Sequence, residues 1–123
     1  MDNDRLYAYL RKQVSSLERG FPNSKYVYLV DLHLTVYLRV TKHYIRGLSM
    51  PCIDIANVSV EDEFQKQGNF SQFIAMMKMI ALGTQRVLRV ESVVNPFLGD
   101  WLLRHGFEPE AEESEDENYV FNV

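Results

Sequence analysis

Leu6, Leu10, Val14 and Leu17 recur at i, i+4, i+8 and i+11, with Arg5, Arg11, Lys12 and Glu18 on the other side. That spacing predicts an amphipathic helix, capped by Asn3 or Asp4 and ended at Gly20. Beyond the breaker Gly20-Phe21-Pro22-Asn23, the segments Tyr26–Leu32 and Thr35–Tyr44 are dense in Val, Tyr, Leu and Thr and predict two strands. Arg46 to Pro51 reads as a turn, and Cys52–Val60 as a further strand. Phe70, Phe73, Ile74, Met77, Ile80 and Ala81 restore helical spacing, with Gly83 placed to close that helix in a left-handed conformation. Val87–Val93 alternates like a strand. Asn95-Pro96 then supplies an N-cap and a first-turn proline for a short helix, Phe97–Arg104, closed by Gly106. A short strand near Phe107, an acidic loop and a last strand, Tyr119–Val123, complete the order.

A chain of 123 residues, 46% hydrophobic and 24% charged, predicts one globular domain over 1–123. No apolar stretch has membrane-spanning length, and the first residues lack the pattern of a secretory leader, so a cytoplasmic protein with no membrane partner is expected. Cys52 has no second cysteine to pair with, and His33, His43 and His105 show no metal-ligand spacing, so neither a disulfide nor a metal is expected. The net charge of −4 hides an asymmetry. Glu108, Glu110, Glu112, Glu113, Glu115, Asp116 and Glu117 supply seven negative charges, and setting them aside turns −4 into +3. Lys and Arg do not concentrate on one face with interleaved aromatics, so nucleic acid is not expected as a partner.

The chemistry concentrates between the second and third helices. Gln65-Lys66-Gln67-Gly68-Asn69, followed by Phe70 and Ser71, is a polar loop that enters a helix. A pyrophosphate needs several backbone N–H groups converging at the positive end of a helix, with no Cβ at the closest approach, and Gly68 supplies bare backbone there. Phe70 can turn inward and leave its N–H available. Trp101, Phe73, Met76, Met77 and Met79 read as core residues, Cys52 as a small apolar strand residue, and His33 and His43 as surface or strand histidines.

In order and in spacing, these features resemble the GNAT N-acetyltransferase superfamily. Gln65 and Gly68 match the first two fixed positions of its cofactor loop, Gln/Arg-x-x-Gly-x-Gly/Ala, and Phe70 departs from the third. Asn95, Leu98, Trp101 and Gly106-Phe107 follow its C-terminal pattern. The resemblance spans about Cys52 to Val123 and, in its compact build, is similar to bacteriophage members. It implies an α+β fold: a mixed, mostly antiparallel twisted sheet of about six strands flanked by three helices.

The resemblance further implies acetyl-CoA as cofactor, held by the backbone of Asn57, Val58, Ser59 and Val60, by the loop Gln65, Lys66, Gln67, Gly68, Asn69, Phe70 and Ser71, and by Asn95. It implies acetyl transfer to a primary amine by direct attack in a ternary complex. An amine with an ordinary pKa near ~10.4 must lose a proton first, so a base or water relay is needed. Asp54, eleven residues before Gln65, is the first candidate, with Glu91 and Ser92 on the next strand. The family tyrosine that protonates the leaving thiolate is replaced by Leu102. That replacement, with Phe70 and a single helix before the strands, leaves a second reading: a catalytically weak module that binds a partner protein. The acceptor expected is a small-molecule or protein amine, cationic if the acidic loop steers it, and a homodimer is left open.

Overall fold

The structure, a computed structural model, describes residues 3–60, 68–91, 93, 96–111 and 117–123. Its elements run α1 (Asn3–Glu18), β1 (Ser24–Leu29), a 3-10 turn (Val30–Leu32), β2 (Leu34–Ile45), β3 (Leu48–Val60), α2 (Asn69–Gly83), β4 (Val87–Val90), α3 (Pro96–Arg104), β5 (Glu108–Pro109) and β6 (Tyr119–Phe121). One six-stranded sheet is ordered β1-β2-β3-β4-β6-β5, and every described pairing is antiparallel except β3 with β4. The expected α+β architecture of six strands and three helices is the one found.

Alternation along the strands divides the sheet into two unlike faces. Leu34, Leu38, Ile53, Ile55, Leu88 and Val90 join Leu6, Leu10 and Leu17 of α1, Phe73, Met77 and Ile80 of α2, and Leu102 of α3 in one core. The reverse face carries only a small strand-borne cluster, Ile45, Cys52, Val87 and Val120, at one end. No described helix packs its buried residues there, so the polar side chains on that face lie under no helical layer.

Four local expectations are corrected. The turn before β3 is only Arg46-Gly47, both left-handed at φ 54° and 84°, so Leu48 to Pro51 belong to β3 opposite Ile45 to Lys42. A two-residue connection of this handedness matches strand twist, and paired strands can begin at once on either side. Gly83 is the last residue of α2. The left-handed position falls instead on Gln85 at φ 55°, after Thr84 has bonded its hydroxyl back to the Ile80 carbonyl at 2.7 Å. β4 stops at Val90, short of Val93. Met79 is exposed, while Phe73, Met76 and Met77 are buried as expected.

Gly99 has a packing reason to be glycine. A Cβ at this position of α3 would stand 2.7 Å from the Tyr119 hydroxyl on β6. Gly99→Ala is therefore expected to destabilise by about 1–3 kcal/mol, as overpacking does, and Tyr119→Phe in the same chain should recover most of that loss. Urea unfolding of both variants checks it. A Gly99→Ala chain as stable as the parent would mean that α3 is free to shift.

Candidate functional site

β3 and β4 run side by side from Cys52/Val87 to Ile55/Val90, and the Glu91 amide donates to the Ile55 carbonyl at 2.9 Å. Beyond that point β3 has no described partner on the β4 side. Two causes act together. β2 and β3 slip register between Thr35 and Tyr37, and Asn57 takes a left-handed φ of 49°, a bulge that bends β3 away. The opening is a cleft of about 410 Å³ whose lining includes Tyr37, Arg39, Ala56, Asn57, Glu91 and Leu98.

At the start of α2, Gly68 stands at the N-cap with φ 76° and no described residue within 4 Å of the place a Cβ would occupy. Only glycine adopts this conformation readily, and the bare position leaves the helix N-terminus open to an anion. The Asn69 side chain is engaged elsewhere, donating to the Leu32 carbonyl at 2.9 Å. Phe70 turns inward, as expected, and meets Trp101 edge-on at 5.4 Å between ring centroids. Ser71 is exposed. Gln65, Lys66, Gln67, Ser92 and Asn95 lie outside the described residues, as does 112–116 of the acidic loop. Val58 lines the cleft, and Ser59 and Val60 form the end of β3.

On the helix-free face, next to the cleft, lies an ion network that runs across β2, β3 and β4 and reaches Glu110, just past β5. Asp54, only 1% exposed, accepts from Arg39 Nε at 2.8 Å and meets His43 Nε2 at 2.7 Å, with Arg89 Nη1 at 3.7 Å. Glu91 Oε1 accepts from both Arg39 and Arg89. Arg89 Nε donates to Glu110 at 2.6 Å, and Asn118 donates to the same carboxylate at 3.1 Å. Desolvation works against both guanidiniums, yet the Asp54, Glu91 and Glu110 carboxylates outweigh it and raise Arg39 and Arg89 above the usual arginine value. Asp54 thus sits at the centre of the network and is not among the residues lining the cleft, whereas Glu91 is. Burial, reinforced by Asp54, pushes the Cys52 thiol up to about 11, consistent with an inert apolar strand residue.

Burial pushes Glu110 upward, but the hydrogen bond from Arg89, then Asn118 and the Arg89 charge, pull its carboxyl below the ordinary 4.5. A depressed carboxyl contributes stability above its unfolded value, and that contribution is lost as pH falls through the folded value. Stability is therefore expected to fall in acid below about pH 4.5, and Glu110→Gln should lessen the slope there. Denaturant midpoints across that range check it, with equal slopes contradicting the role.

Glu110, read from sequence as part of the acidic loop, is thus a structural partner of Arg89, and Glu108 pairs with Arg46 at 3.2 Å. His43, Asp54 and Glu91 offer ligand atoms within 4.8 Å of one another, but Arg39 and Arg89 bond the same carboxylates and already supply the cations of this cluster. The sequence reading missed Arg39, His43 and Arg89. One signal was present: Tyr37, Arg39, Thr41 and His43 alternate on β2, and Arg89 on β4 with Glu91 just past its end, so each set shares a face.

No family model matches the chain, and no curated protein matches it. Solved structures do. The KacTA–DNA complex superposes with a TM-score of 0.59 at 18% identity, over 72% of this chain and 57% of that chain. An AtaT toxin variant bound to the C-terminus of the antitoxin AtaR and acetyl-CoA superposes with a TM-score of 0.58 at 16% identity, over 72% and 57%. AtaT complexed with acetyl-methionyl-tRNAfMet gives 0.58 at 16%, over 72% and 61%. This chain therefore spans about three-fifths of the length of these neighbours. The expectation of no nucleic-acid partner is corrected by them, since one is seen with DNA and another with an acylated tRNA. Arginines scattered along the chain can still meet on one face once the sheet forms, as Arg39 and Arg89 do. The splayed parallel pair, the glycine at the mouth of α2 and the helix running into Gly106-Phe107, with these superpositions, give this chain the GNAT fold.

Proposed function

We propose that this chain is an acetyltransferase that uses acetyl-CoA and transfers its acetyl group to a primary amine by direct attack in a ternary complex. The observation that carries the proposal is the opened end of β3 and β4. There the bulge at Asn57 frees one side of β3 for a ligand to lie along it as an added strand. Asn57 to Val60 would hold the pantetheine arm, and the backbone around Gly68 at the start of α2, with the loop Gln65 to Ser71, would hold the pyrophosphate. Asn95 completes that set. The structural neighbour bound to acetyl-CoA supports the choice of cofactor.

When bound, acetyl-CoA supplies an activated acetyl group as a thioester. The acceptor nitrogen must lose its extra proton before it attacks. In the proposed reaction Glu91, or Ser92 beside it, orients the water that takes this proton, while Asp54 acts through Arg39 and Arg89 to hold Glu91 in place. A new N–C bond forms as the C–S bond breaks. The thiolate takes a proton from water, and a thiol with an ordinary pKa near ~8.5 needs no dedicated acid, so Leu102 in the core is compatible with turnover. Because one neighbour is held with acetyl-methionyl-tRNAfMet, aminoacyl-tRNA amines stand beside small amines as acceptors to be tried.

Thiol release from acetyl-CoA, followed with this panel, tests the reading. Glu91→Gln should lower the rate by about 10–100-fold with acetyl-CoA affinity unchanged. Binding of acetyl-CoA without turnover on any acceptor would move the chain to the partner-binding reading.

A further inference from the structure

The helix-free face carries a row of side chains that the transfer reaction alone does not explain. Tyr26 on β1 lies opposite Tyr37 on β2, Tyr37 lies opposite Ala56 on β3, and Ala56 is the next residue after the Ile55/Val90 pair, abreast of Glu91, the first residue past β4. The row thus reads Tyr26, Tyr37, Ala56, Glu91 across four adjacent strands. Two strand spacings separate the backbone of Tyr37 from that of Glu91, about 10 Å. Between them Ala56 offers a floor with almost no side chain.

Each wall of this trough has neighbours that hold it. The Tyr26 and Tyr37 rings stand 4.9 Å apart at 51°. The Tyr37 hydroxyl donates to Ser24 Oγ at 2.7 Å, and the Asn57 amide donates to the Tyr26 hydroxyl at 3.4 Å. Tyr26 nonetheless leaves 63% of its surface exposed. At the other wall, Arg39 and Arg89 both bind Oε1 of Glu91, and Oε2 has no described partner. Tyr37, Ala56 and Glu91 all line the cleft where β3 and β4 part.

We infer that this trough is the acceptor subsite and that it selects a primary amine carrying a flat ring a few bonds from the nitrogen, the ammonium meeting Glu91 Oε2 and the ring lying on Tyr26 and Tyr37. The inference rests on the acetyl-transfer reading and narrows it to an acceptor class. The chemistry of each wall favours it: a carboxylate oxygen with no described partner in a half-buried site can take a donor, and an exposed ring held against a neighbouring ring offers its face at little entropic cost. A ring on a small arylalkylamine and a nucleobase near an aminoacyl ester share this chemistry.

Direct binding separates this inference from the reading beneath it. Tyrosine ring resonances of the full chain are followed during titration with 2-phenylethylamine, with n-butylamine, and with an aminoacyl-adenosine. The ring-bearing amines should bind about five- to tenfold more tightly than n-butylamine and should shift Tyr26 and Tyr37. Tyr26→Ala should erase that preference, and Glu91→Gln should weaken all three amines together. Whichever ring-bearing amine binds more tightly identifies the source of the ring. Equal affinity for butylamine and both ring-bearing amines, or tyrosine resonances that do not move, would overturn the subsite. Failure to bind acetyl-CoA, measured separately, would instead remove the transferase reading.

Discussion

Arg89→Met is expected to lower the stability of the chain by about 3–5 kcal/mol, the scale on which removing one partner breaks a buried charge cluster. Arg89 is nearly buried and bonds Glu91 and Glu110 while approaching Asp54, so its loss leaves Asp54 and Glu91 sharing Arg39, and leaves Glu110 with no described cation. It also ties the middle of the sheet to the segment leading out of β5, where Glu110 sits. Methionine keeps much of the volume, so the loss reads charge more than packing. The urea midpoint should fall with an unchanged denaturant slope. Adding Glu110→Gln to Arg89→Met should restore part of the difference, because one of the stranded charges is then gone. An Arg89→Met chain within about 1 kcal/mol of the parent would show that water compensates the cluster, and that the network does not hold Glu91 in place.

The second large effect is expected at Gly68. Valine there meets no described residue, but φ of 76° is a conformation that a β-branched residue resists. About 1–3 kcal/mol of strain would either be borne by the fold or relieved by moving the backbone at the start of α2. Either way the amides proposed to converge on the pyrophosphate lose their arrangement, and affinity for acetyl-CoA should fall by at least tenfold, about 1.4 kcal/mol. Gly68→Ala should fall between the two. Affinity unchanged in Gly68→Val, measured well below its melting temperature, would take this loop out of the cofactor site.

Elements with strong local signals are legible in the order of residues itself. The Leu6, Leu10, Val14, Leu17 stripe is buried as a unit, and the α2 stripe from Phe73 to Ala81 likewise, because helical periodicity reports one face directly. Gly106, left-handed at φ 88°, closes α3 as its position suggested. The ion network is not legible in the same way. Arg39, Asp54 and Arg89 are brought abreast by the β2–β3 and β3–β4 registers, and no pattern within one strand encodes the register of its neighbours. The bulge at Asn57 has the same origin, since asparagine tolerates a left-handed backbone but does not require it. Placing Asp54 on the strand beside the cofactor loop was possible from sequence. Its surroundings of Arg39, His43 and Arg89 arise only once the sheet has formed.

In the proposed reading, the opened β3–β4 pair and the start of α2 form one acetyl-CoA site. Isothermal titration of the full chain with acetyl-CoA, beside the Gly68→Val chain, measures it most directly. The account predicts one site per chain with micromolar affinity, weakened at least tenfold in Gly68→Val. No heat of binding at high micromolar acetyl-CoA, or equal affinity in the two chains, would contradict it.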